Sequence, residues 1–289
     1  MENELLEIIN KKLIGNFKEI SHVSYNKHFT GYSEKFEQFV FVKVFTVKNI
    51  EKFSTELAIL KSNQNRYIYD FGSIGYNFLI LKDYTLEEFE ARTLNNYKVL
   101  SELSTLIADY HQSNKEKDIP KKDNISFRIC SDLKKLKSRK NYNELCDIYK
   151  KLLSMRDVIE VEYNCREKVA IHGDFGVRNI KIHNNQKILI DFERSKKDIY
   201  FLDFIKFFYI DLNGDNKLID YFLERYYNHS NTTKISKLLM HVLIFYVGLG
   251  IMKYTLDFED KEFEDIGLKM IGDSKKYLNT LYYNNSLNK

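Results

Sequence analysis

Residues 169–193 read VAIHGDFGVRNIKIHNNQKILIDFE. A polar loop from His172 to Asn179 leads into two short runs of β pattern, Ile180 to His183 and Lys187 to Ile190. Asn184 and Asn185 stand between the runs, and asparagine tolerates positive φ, so the pattern predicts a hairpin. Such a hairpin returns the chain and brings Asp191, at its exit, near Asn179, at its entry. Asp174 precedes Asn179 by five residues in the same loop. Either aspartate alone would suit a helix cap or a turn; the joint spacing points instead to three oxygen-bearing side chains converging on one point.

That set matches the needs of phosphoryl transfer to an alcohol. The reaction uses a hard divalent cation on oxygen ligands, and a carboxylate that orients the attacking hydroxyl and accepts its proton. Asn179 and Asp191 suit the cation, and Asp174 the proton. His172 belongs to the same catalytic loop and is better suited to bracing it than to taking the proton. Upstream, FVFVKVFTV at residues 39–47 reads as a buried strand with one charged residue, Lys43. Lys43 is the candidate to neutralise the α- and β-phosphates of a nucleotide, although a lysine stem can also snorkel from a strand edge. Glu56, on the helix predicted over Ile50 to Lys61, is the candidate to hold its ammonium, and Glu51 offers an alternative.

His172-Gly-Asp174-Phe-Gly-Val-Arg-Asn179 resembles the H-x-D-x-x-x-x-N catalytic loop of the protein-kinase superfamily, and Ile190-Asp191-Phe192-Glu193 resembles its metal-binding D-F-G segment. The form HGD followed by IDFE is closer to the aminoglycoside phosphotransferase and choline kinase branch. Ile107-Ala-Asp-Tyr-His111-Gln-Ser is similar to a helix end in that branch, and Asp203 to a structural aspartate after the metal site. The resemblance runs from the first strand to about Tyr209. It implies a two-lobed, protein-kinase-like fold, Mg²⁺ as cofactor, ATP or GTP as phosphoryl donor, and a small hydroxyl compound such as an aminoglycoside, choline or a sugar as acceptor. One departure stands out: the loop expected to cover the phosphates, Ser24 to Lys27, contains no glycine, so Ser24 and Asn26 would have to meet the nucleotide there. Only eleven residues separate Asp191 from Asp203, which leaves no room for a peptide platform. A protein kinase and a nucleotide-binding pseudokinase without turnover are the competing readings.

Outward from the motif, the chain reads α+β. The order β-β-β-α-β-β to about Leu81 predicts a five-stranded N-terminal sheet, and helical spacing dominates beyond Asp83. The expected division is a nucleotide-binding lobe over residues 1–84 and a mainly helical catalytic and substrate lobe over 85–289. Leu238 to Met252 is the longest apolar run and reads as a buried core helix. The basic run Lys134 to Lys140 and the acidic run Asp257 to Asp265 both read as solvated helix faces.

Bulk properties fit a folded, globular chain. Aromatic content is 15%, and the net charge is only +4 from 45 basic and 41 acidic residues, so no nucleic-acid or membrane partner is expected. Cys130, Cys146 and Cys165 form no CxxC pair, which suits a reducing cytoplasm. The N-terminal MENELLEIINKKL has an amphipathic pattern and no signal-peptide features. A monomer or weak homodimer is expected.

Overall fold

The computed structural model describes residues 2–21, 26–63 and 66–286. The elements in chain order are α1 (Glu2–Leu13), β1 (Gly15–Glu19), β2 (Lys27–Ser33), β3 (Gln38–Thr46), α2 (Ile50–Asn63), β4 (Tyr67–Ser73), β5 (Tyr76–Lys82), β6 (Glu87–Glu88) and α3 (Tyr97–Ser113). There follow α4 (Ile125–Lys135), α5 (Tyr142–Leu153), α6 (Arg156–Cys165), β7 (Val169–Ile171), β8 (Ile180–His183), β9 (Gln186–Leu189), β10 (Lys196–Asp198), α7 (Phe201–Lys206), α8 (Asn216–Ser230), α9 (Lys237–Asp257) and α10 (Lys261–Ser286). The chain forms two compact units: residues 1–89, 116–120 and 180–195 make the first, and residues 90–115, 121–179 and 196–289 the second.

In the first unit, five antiparallel strands lie in the order β1-β2-β3-β5-β4. The β-β-β-α-β-β reading therefore holds, with α2 between β3 and β4. Leu5, Ile9 and Leu13 recur every four residues along α1 and are at most 1% exposed, so one helical stripe covers one face of the sheet. They pack with Phe17, Phe29, Val40, Val42 and Val44, each fully buried side chain contributing about 1.5–3 kcal/mol. Val40, Val42 and Val44 share one face of β3, so the period of two sends Lys43 and Phe45 to the opposite face. There Phe45 meets Phe53 of α2 edge to face, with centroids 5.6 Å apart.

The predicted hairpin is present as β8 and β9, paired from Ile180↔Leu189 to His183↔Gln186. Asn184 and Asn185 make its turn with φ of 49° and 61°. β6 adds to it along β8.

The second unit is mainly helical, and β7 and β10 form a small antiparallel ladder within it. The apolar run continues as the longer α9, Lys237–Asp257, which by length and composition passes for a membrane span; 56% of its most apolar stretch is buried inside the protein. Two expectations need correction. The basic run ends α4 and enters a turn, and Arg139 is not a solvated residue: it donates to Glu264 at 2.9 Å and to the Met252 carbonyl at 2.7 Å. The acidic run spans the break between α9 and α10, where Asp260 caps the new helix by accepting from the Phe263 N–H at 2.9 Å, because a short carboxylate satisfies orphan N–H groups better than it extends a helix.

Candidate active site

Lys43 leaves the buried face of β3 and is surrounded by carboxylates. Its ammonium lies 2.7 Å from Glu56, 2.6 Å from Asp191 and 3.3 Å from Glu193. Burial alone would lower the lysine pKa, but the charges of Glu56, Asp191 and Glu193 outweigh it and hold the ammonium well above its ordinary value. Glu56 itself is pushed up by burial, with Lys43 opposing. Of the two glutamates on α2, Glu56 makes this pair, while Glu51 is exposed. Thus Lys43, Glu56 and Asp191, more than a hundred residues apart at the extremes, meet in the first unit.

Asp191 follows β9 with φ of 65°. This left-handed conformation is one that aspartate tolerates better than most residues, and it turns the chain as the strand ends. Its side chain is 39% exposed, against 7% for Lys43. Glu193, two residues on, also accepts from Lys52 at 3.1 Å and from the Asn26 amide at 2.5 Å. Asn26 is therefore drawn into this cluster, whereas Ser24 lies outside the described residues. Carboxylate oxygens of Glu56, Asp191 and Glu193 all lie within 4.8 Å of one another. Hard oxygen donors at this density fit a divalent cation such as Mg²⁺.

The second unit carries the loop. Gly173 has φ of 81°, a conformation that glycine adopts without penalty. The buried Asp203 accepts the N–H groups of His172 and Gly173, each at 2.7 Å, and meets His111 at 2.9 Å. His111 reaches Tyr226 with its other ring nitrogen, at 2.8 Å. His172 is fully buried, with its ring 5.8 Å from that of Tyr110. Asn179 donates to the Asp174 carbonyl at 2.8 Å and approaches the Asp174 carboxylate at 3.4 Å. That carboxylate also accepts from Lys206 at 2.7 Å and from Arg178. The Arg178 side chain is 69% exposed and that of Lys206 26%, so solvent screens the arginine contact more.

Glu193, Lys52, Lys206 and Asp211 received no role in the sequence reading. For Lys52 a signal existed, since it lies four residues before Glu56 on α2 and so shares its face. For the others the partner is far along the chain, and only the fold reveals it.

Asp211 accepts from the Val177 N–H at 3.3 Å. Burial pushes its carboxyl up to about 6; Val177 and Arg178 oppose the shift and Asp174 adds to it. A carboxyl raised above its ordinary 3.8 binds its proton more tightly in the folded chain. Its stabilising contribution is therefore present in acid and lost as pH rises from about 4 to about 6. Relative to Asp211→Asn, the wild type should lose at most about 3 kcal/mol over that window, less what residual solvent screens, as measured by urea unfolding at a series of pH values.

Asp211 also lines an open cavity of about 500 Å³, whose wall includes Leu94, Asn95, Asn213, Asp215 and Leu218.

A family model for the phosphotransferase enzyme family matches residues 67–235. The chain belongs to this family. The phosphotransferase is similar in structure to the choline kinase LicA from Streptococcus pneumoniae, with 15% identity and a TM-score of 0.68 over 97% of this chain and 99% of that one. A choline kinase from Cryptosporidium parvum gives 14% identity and a TM-score of 0.64, covering 99% and 97%. A thermostable mutant of the aminoglycoside phosphotransferase APH(4)-Ia, in ternary complex with ADP and hygromycin B, gives 10% and 0.60, covering 94% and 97%. These likenesses establish the fold as protein-kinase-like, with an antiparallel N-terminal sheet and a larger helical C-terminal part. A search of curated protein sequences found no match.

Proposed function

We propose that this phosphotransferase is a small-molecule kinase that moves the γ-phosphoryl group of ATP or GTP onto a hydroxyl of an aminoglycoside-, choline- or sugar-like acceptor. The observation that carries the reading is the Lys43 ammonium, buried on β3 and held at 2.7 Å by Glu56 and 2.6 Å by Asp191. A fixed, desolvated cation beside carboxylates of the kind that ligate Mg²⁺ is what a nucleotide's phosphates require. The ADP and hygromycin B bound by the similar aminoglycoside phosphotransferase support a nucleotide and a small acceptor. A small acceptor also suits the short path from Asp191 to α7, which begins at Phe201, and the cavity beside Asp211, whose volume is that of a small-ligand site.

In this reading residues 1–84 bind the nucleotide, with Asn26 toward its phosphates, and residues 85–289 carry the catalytic loop and the acceptor. Lys43 meets the α- and β-phosphates while Glu56 keeps its ammonium in place. Asp174 accepts the hydroxyl proton as that oxygen attacks the γ-phosphorus, the bond to the bridging oxygen breaks, and ADP or GDP leaves. Mg²⁺, when bound by Asp191 and Asn179, supplies the positive charge that offsets the phosphates. His172 braces the loop. Free thiols at Cys130, Cys146 and Cys165 support a cytoplasmic setting.

The test is a screen of ATP and GTP hydrolysis against hydroxyl compounds, including aminoglycosides, choline and sugars. At least one should raise Mg²⁺-dependent turnover. Tight nucleotide binding with no turnover under any condition would favour the pseudokinase, and phosphorylation of protein alone would favour a protein kinase.

A further inference from the structure

The segment 201–211 meets the loop 172–179 at three points, and the order of contacts is the same along both. Asp203, in the first turn of α7, accepts from His172 and Gly173 at 2.7 Å each. Lys206, three residues later and therefore on the same helical face, donates to Asp174 at 2.7 Å. Asp211 then accepts from Val177 at 3.3 Å.

Helical periodicity from Asp203 would return to this face at residue 210, not 211. Residues 207–211 form a π turn instead, closed by the Leu212 N–H donating to the Phe207 carbonyl at 3.0 Å. The extra residue turns Ile210 outward, where it is 41% exposed, and brings Asp211 to the loop. Single π turns often mark functional sites. The fit is close: a Cβ at Gly176 would lie only 3.0 Å from the Asp211 carboxylate.

We infer that Lys206 and Asp211 are positioning residues for Asp174, with the π turn serving to present Asp211 to the catalytic loop. Lys206 fixes the direction of the carboxylate, and Asp211 fixes the backbone between it and Asn179. The inference rests on the proposed role of Asp174. A displacement of about 1 Å in a reacting group can cost about a hundredfold in rate. The two residues should therefore act on kcat without changing nucleotide affinity.

The test combines steady-state kinetics of the full chain, using the acceptor that most raises turnover, with amide hydrogen exchange across residues 172–179. Lys206→Met and Asp211→Ala should each lower kcat by about tenfold to a hundredfold while the nucleotide KM stays within about twofold. Lys206→Arg and Asp211→Asn, which keep a donor and an acceptor, should recover most of the loss. The Val177 amide should exchange at least about tenfold faster in Asp211→Ala than in Asp211→Asn. Lys206→Met, at a partly exposed site, keeps the test open should Asp211→Ala not fold. Unchanged kcat in Lys206→Met, equal losses in Lys206→Arg and Lys206→Met, or unchanged exchange in Asp211→Ala would each overturn the inference. If the wild type turns over no nucleotide, the kinase reading fails, and the exchange measurement alone decides whether Asp211 positions the loop.

Discussion

Asp174→Asn is expected to lower kcat by about 10²- to 10⁴-fold while leaving nucleotide affinity almost unchanged. The amide has the shape of the carboxylate but cannot take a proton, so the loss falls on the step in which the acceptor hydroxyl is deprotonated. Asp174 is 8% exposed and already accepts from Lys206, Arg178 and Asn179. An acceptor hydroxyl must therefore join or displace one of these donors, and the exposed Arg178 is the one most cheaply moved. Steady-state kinetics would give kcat, and calorimetry with the nucleotide alone would give affinity. Full activity in Asp174→Asn would eliminate it as the base.

Asp191→Ala should abolish turnover and erase the Mg²⁺ dependence of nucleotide binding. A carboxylate offers the cation a charged oxygen, whereas Asn179 offers a neutral one, so Asp191 is the costlier ligand to lose. Lys43 would still be held by Glu56 at 2.7 Å, and for that reason metal-free nucleotide binding should survive. Calorimetric titration of nucleotide with and without Mg²⁺ separates the two effects. A variant that bound Mg²⁺-nucleotide as tightly as wild type would place the metal elsewhere and remove Asp191 from the mechanism.

Much of this arrangement could be read from the residues because it depends on local periodicity. The alternation in β3 sets Lys43 against the valine face. The two asparagines with positive φ shape the β8–β9 hairpin, and Leu5, Ile9 and Leu13 mark the stripe of α1. Long-range partners are a different matter. Nothing near Glu193 in sequence indicates that it will meet Asn26 and Lys52, which lie 167 and 141 residues away. Asp211 adds a second reason to its distant partner: a period of 3.6 residues assigns Ile210 to the loop-facing side, and only the π turn shifts the register by one. The acidic run near Asp260 reads as a helix face because charge density does not reveal where one helix stops and the next is capped.

The most direct measurement of the central claim is transfer of a labelled γ-phosphoryl group from ATP or GTP, with Mg²⁺ present, to the small hydroxyl compound that most raises turnover. The account predicts that the label appears on the oxygen of that compound with the wild-type chain, and that Asp174→Asn and Asp191→Ala leave it on the nucleotide. Label released only as free phosphate, or transferred equally well by either variant, would contradict it.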